Sequence, residues 1–239
     1  MILTRNERLA ASYCGAEPAL SAMGAFRIVE DMVTELMGAQ KIDGVTCMRE
    51  YGGMWVFVRN RIEMPQQIKW MEEYTAKCAI SSFSRVRLYI DTILEKTDGS
   101  VALASRLELC AVDLETGKIR KADTVGVGEN TPPEGVLAEV SYTKEKYVRG
   151  EHLDTFRVRS TDIDYASHTN NISYVGFIMD QYSAAHHVEH PVSSIEVQYV
   201  NQTHEGDLLE LYRCESQAAD AYTIEMDGKT VMNCLTAFR

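Results

Sequence analysis

The feature that most narrows the fold of this chain is a repeated order of parts. Twice along its 239 residues a helix-spaced apolar segment is followed by a series of short β-rich runs, and Pro and Gly concentrate between the two series, in VGVGENTPPEGVL from Val125 to Leu137. In the first half a helix is predicted to start near Pro18, a favoured first helical position. Leu20, Met23, Ile28, Met32, Val33, Leu36 and Met37 follow one face of it. The runs MWVFVRNRIEM, EEYTAKCAISSFSRVRLYIDTILE and SVALASRLELCAVDLE come next. In the second half a helix carrying Ile172, Val175, Met179 and Tyr182 precedes SSIEVQYVN, DLLELYRCES, YTIEM and TVMNCLTAF. An Asp-Gly pair, a hairpin signal, stands before the closing strand of each half, at Asp98-Gly99 and Asp227-Gly228. An amphipathic helix needs an apolar surface, and a curved antiparallel meander supplies one. The expectation is an α+β protein of two similar units, residues 1–124 and 138–239, joined by a linker over 125–137.

Charge and composition exclude several partners. Hydrophobic residues make up 45% and charged residues 25% of the chain, as in an ordinary globular protein. No apolar run approaches the roughly 18 residues of a spanning helix, and the N-terminus has no apolar block of signal-peptide length, so no membrane contact and a cytoplasmic location are expected. A formal charge of -11 argues against nucleic acid, whose binding needs clustered Lys and Arg. The six cysteines stand singly and are expected to be reduced.

Chemistry concentrates in STDIDYASHTNNISYVGFIMDQ, Ser160 to Gln181. Asp164 and His168 directly precede a helix starting around Asn170. Free N–H groups and the positive end of a dipole at such a place suit a developing oxyanion, and a carboxylate with an imidazole beside it can hold and deprotonate water. The plainer alternative is a Thr169 or Asn170 cap with solvated Asp162, Asp164 and His168. His186, His187 and His190 are dense enough to suggest a metal, but they lie at a helix end, where the dipole favours His, and lack a metal-ligand spacing. Met23, Met54, Trp55 and Phe57 are either core or the wall of an apolar tunnel.

The stretch DIDYASHTNNISYVGFIMD resembles the second-repeat signature of the acyl-acyl carrier protein thioesterases, in which an Asp, an Asn two later and a His two after that precede a helix. MWVFVRNRIEM, IKWMEEYTAKCAISSFSRVRLY and DGSVALASRLELCAVDLETGKIRK resemble that family's first repeat, and the resemblance spans about Tyr13 to Phe238. It implies a tandem of two hot-dog folds, the first housing an acyl chain against Trp55, Phe57 and Met23, the second catalytic. It implies hydrolysis of fatty acyl-acyl carrier protein thioesters to free fatty acid, with no cofactor and no metal. The alternatives are a hydrolase of acyl-CoA or another small thioester, and an acyl-binding protein without turnover. Asp164 and His168 fall on the family's Asp and His. Its Asn is replaced by Ala166, and its catalytic Glu by Gln202. An amide accepts no proton near neutrality, so Gln202 can orient water but not act as base. That leaves Asp164 or His168, with N–H groups at Asn170 and Asn171 polarising the carbonyl. A slip in register would instead bring Glu205 or Glu196 to the acid position. The acidic carrier would meet Arg85–Arg87, Lys118–Lys121 or Lys144–Arg149. Two repeats make an internal pseudo-dimer, so the chain is expected as a monomer or a homodimer of such units.

Overall fold

A computed structural model describes residues 1–128, 134, 135, 137, 139–144, 147–216 and 219–239. All ten strands join one antiparallel sheet: β1 (Leu3–Arg8), β2 (Gly53–Glu63), β3 (Glu73–Phe83), β4 (Leu88–Lys96), β5 (Val101–Asp113), β6 (Glu151–Arg157), β7 (Val192–Tyr199), β8 (Leu208–Cys214), β9 (Asp220–Met226) and β10 (Lys229–Phe238). The order across it is β1-β3-β4-β5-β2-β7-β10-β9-β8-β6. The right five strands repeat the left five in mirrored sequence, so the duplication is a pseudo-twofold. The halves meet where β2 pairs with β7, Ile62 opposite Ile195. This is a double hot-dog, and both Asp-Gly pairs turn hairpins, β4 to β5 and β9 to β10.

The helix α1 (Ala22–Ala39) lies in the curve of the first half. It starts at Ala22 rather than near Pro18, because the Ser21 hydroxyl accepts from the Gly24 N–H and caps it, while Pro18 lies in a bend and Ala19 and Leu20 form extended bridges to Lys69 and Cys14. Phe26, Val29, Val33, Leu36 and Met37 form its buried stripe. Gly24 is required by a close approach: a Cβ there would sit 2.1 Å from the Tyr13 carbonyl oxygen. A second short helix, α2 (Gly44–Tyr51), is capped by Asp43, which accepts from Val45 and Thr46. The second half has α3 (Asn171–Met179) and α4 (Ala184–Glu189), and α3 touches α1. Neither β1 nor α2 is signalled by periodicity, each being short and largely polar.

The linker expected over 125–137 falls partly outside the described residues. Its described neighbours cross the outer face of the sheet. Leu137 N–H donates to Asp91, itself held bidentately by Arg106, and Val140 packs on Ile93 and Ala104. Thr143 N–H donates to Glu196 at 2.9 Å. Glu196, 1% exposed, also takes Arg59 Nε at 2.6 Å and Arg61 Nη1 at 3.0 Å, both from β2 across the β2–β7 seam. No helix among the described residues is long and apolar enough to cross a membrane.

Candidate active site

The Asp164–His168 segment is a tight loop. Asp164 N–H donates to the His168 carbonyl at 3.0 Å, Ser167 N–H returns to the Asp164 carbonyl at 3.0 Å, and Ile163 bridges Thr169. The Asp164 carboxylate accepts from Ala166 N–H at 2.8 Å, closing an Asx turn, and Ser167 takes the left-handed conformation (φ 63°) that completes it. Residues four apart in sequence are thereby set at the two ends of one turn. Thr203, fully buried, fastens this turn to the segment after β7: its carbonyl accepts from Thr169 N–H at 2.9 Å, and its hydroxyl lies 2.7 Å from both the Thr169 hydroxyl and the Tyr174 hydroxyl. Gln202 is carried to the same cleft by that bond.

Asn170 caps α3 with its side chain, Oδ1 accepting from Ile172 N–H at 2.8 Å, and its own N–H goes to the Asp162 carbonyl. The plainer reading of Asn170 therefore describes its bonds. Asn171 N–H donates to no group among the described residues, and Asn171 lines the cleft, which makes it a donor available at the start of the helix.

The cleft lies between the halves and measures about 690 Å³. Asp164, Ala166, His168, Asn171 and Gln202 line one side, and Met54, Trp55 and Phe57 of β2 line the other. Trp55 is fixed by its indole N–H, which donates to the Ile42 carbonyl at 2.7 Å. Met23 does not belong to this wall. It lines a separate cavity of about 320 Å³ with Cys14, Arg27 and His187. Its face of α1 is right, but it stands two helical turns, about 10 Å, before the part of α1 that reaches the cleft. Glu196 is also corrected: it is locked on the outer face of the sheet between two arginines. Glu205 is exposed in the turn before β8 and lines no part of the cleft. No group of three ligand side chains suited to a metal occurs among the described residues; His187 instead meets the Met179 carbonyl at 3.0 Å and His186 stacks on Tyr182.

One group in the cleft was not anticipated. Glu30 projects from α1, in line with Phe26, Val33 and Met37, into the space before Asp164. A carboxylate inside an apolar helical stripe was the available signal. Its Oε1 is buried without a partner among the described residues. Burial, then Asp31 and Asp164, push its carboxyl up to about 8. His168 is shifted the other way, below its ordinary value, by burial and by the neighbouring His204, against the pull of Asp164. It is neutral at pH 7. Among the described residues no Lys or Arg lines the cleft.

Residues 145–239 match the family model described as the acyl-ACP thioesterase C-terminal domain. The half that carries Asp164 and His168 is thus similar to the C-terminal domain of the acyl-ACP thioesterases. The whole chain superposes on an acyl-ACP thioesterase from Bacteroides thetaiotaomicron with a TM-score of 0.85, at 18% identity over 100% of this chain and 98% of that one. It superposes on the 12:0-ACP thioesterase from Umbellularia californica with a TM-score of 0.79, at 14% identity over 100% and 97%. At these identities the two solved structures establish the shared double hot-dog fold. No curated protein sequence matches the chain.

Proposed function

We propose that this protein hydrolyses fatty acyl-acyl carrier protein thioesters in the cytoplasm, releasing free fatty acid and ending chain elongation. The observation that carries this is the single cleft in which Asp164 and His168 of a thioesterase C-terminal domain face Trp55 and Phe57 of the other half. Its volume is in the range of small-molecule sites, with a polar mouth and an apolar wall suited to a thioester and its chain. Asp164 and neutral His168 hold the attacking water, the Gln202 amide orients it, and Asn171 N–H receives the carbonyl oxygen as charge develops on it. The residues require neither cofactor nor metal for this chemistry.

The carrier would dock at the rim. Of the basic runs, Arg87 is paired with Glu108, Arg120 is bonded to the Tyr51 carbonyl and Arg149 covers Tyr212, whereas Lys121 is exposed and Lys118 is exposed beside Gly117, a lining residue. Thiol release from matched acyl-carrier and acyl-CoA thioesters tests the proposal. The carrier thioester should be preferred, and Asp164→Asn and His168→Ala should each slow hydrolysis at least about a hundredfold. Stoichiometric binding of the acyl carrier without thiol release would make the protein a binding module instead, the outcome that Gln202 and Ala166 favour.

A further inference from the structure

Gln202 is an amide and takes no proton near neutrality, and one carboxylate oxygen of Asp164 is held by its Asx turn. We infer that Glu30, reaching from α1 of the first half into the cleft of the second, is the general base of this enzyme. The inference rests on the hydrolase reading above and adds to it the residue that takes the proton.

Three observations place a working group there. Glu30 lines the same cleft as Asp164, His168 and Gln202. Its Oε1 is buried and bonded to no group among the described residues, so no ion pair or hydrogen bond among them accounts for a carboxylate at that point. A buried charge without a partner is costly, and a residue that only packed would be better served by Leu or Met, which the rest of this stripe uses.

The surroundings set when it works. On α1 itself Asp31 adjoins it, and Thr34 follows one turn on. The turn presents Asp164, Tyr165 and His168; β7 presents Tyr199 and α3 presents Tyr174. Across the cleft Asp113 accepts from Thr116 N–H and is held ionised. The charges that act on Glu30 among the described residues, Asp31 and Asp164, are negative, so near neutrality it carries a proton and becomes a base as that proton leaves. In the reaction the Glu30 carboxylate removes a proton from water as the water oxygen bonds to the thioester carbon. The carbonyl electron pair moves onto oxygen, facing Asn171 N–H. Collapse of the oxyanion re-forms the carbonyl and breaks the C–S bond, and the departing sulfur takes the proton from Glu30, restoring the carboxylate and giving acid and thiol.

The test is thiol release from an acyl-carrier thioester between pH 5.5 and 9.5 for wild type, Glu30→Gln and Glu30→Asp, with melting curves to confirm folding. Wild-type kcat/KM should rise through a limb near pH 8. Glu30→Gln should lose at least about a hundredfold, mainly in kcat, and lose that limb, while Glu30→Asp keeps the limb at reduced rate. A folded Glu30→Gln enzyme within about threefold of wild type, with the same pH profile, overturns the role of Glu30 and leaves the hydrolase reading standing. An inert wild type overturns that reading, and this inference with it.

Discussion

The same carboxyl makes a prediction about stability that is independent of turnover. In the unfolded chain Glu30 ionises near pH 4.5, whereas in the cleft it keeps its proton until about pH 8. Below pH 4.5 both states are protonated and the group leaves stability unchanged. Between the two values the unfolded state sheds a proton that the folded state retains, so stability falls as pH rises, and above about 8 the loss is complete. At about 1.36 kcal/mol per pH unit, the 3.5 units between 4.5 and 8 amount to roughly 5 kcal/mol, and about 3 kcal/mol is already lost at pH 7. Those figures are ceilings, because water in the open cleft solvates part of the charge. Gln at this position cannot ionise. Glu30→Gln should therefore match wild type near pH 4.5 and melt progressively higher above it, by at least about 5 °C at pH 9, given roughly 2–4 °C per kcal/mol for a chain of this size. Differential scanning calorimetry of both proteins from pH 5 to 9 decides it. A melting difference that stays constant with pH would falsify the argument, since only linkage makes the gap grow.

Two further outcomes test the scaffold. Glu196→Ala strands Arg59 and Arg61 on the β2–β7 seam and unfastens Thr143; it should cost about 3–5 kcal/mol, and a melting point within about 2 °C of wild type would refute its role as a clamp. Gly24→Ala forces a methyl against the Tyr13 carbonyl at the start of α1 and should destabilise the protein by about 2–3 kcal/mol in chemical denaturation, whereas an unchanged midpoint would show that the turn carrying Tyr13 moves freely.

Much of the architecture is local in origin and could be read along the chain. Alternating and helix-spaced apolar residues, two Asp-Gly hairpins and a Pro/Gly-rich break are all short-range signals, and they imply two units of one helix and a meander. The Asp164–His168 turn is equally local: an Asx turn, a left-handed Ser167 and the Asn170 cap are made by neighbours in sequence. Helix starts were less legible, since Pro18 suits a first helical position but the Ser21 side chain, folded onto Gly24, is what caps α1.

Residues whose meaning depends on the opposite half were not legible. Met23 and Glu30 share a face of α1, seven residues apart, and only the position at which the second half crosses that helix puts Glu30 in the cleft and Met23 outside it. Glu196 looked available as an acid because a strand shows only that successive side chains alternate, not which face meets the helices. The β2–β7 pairing puts it outside, between Arg59 and Arg61. Sequence alone thus determined the repeated unit, its turns and the residues of the Asp164–His168 loop, because short-range sterics and hydrogen bonds specify them. Tertiary structure decided which carboxylate faces that loop, because the cleft exists only where two halves, more than a hundred residues apart in the chain, pack against each other.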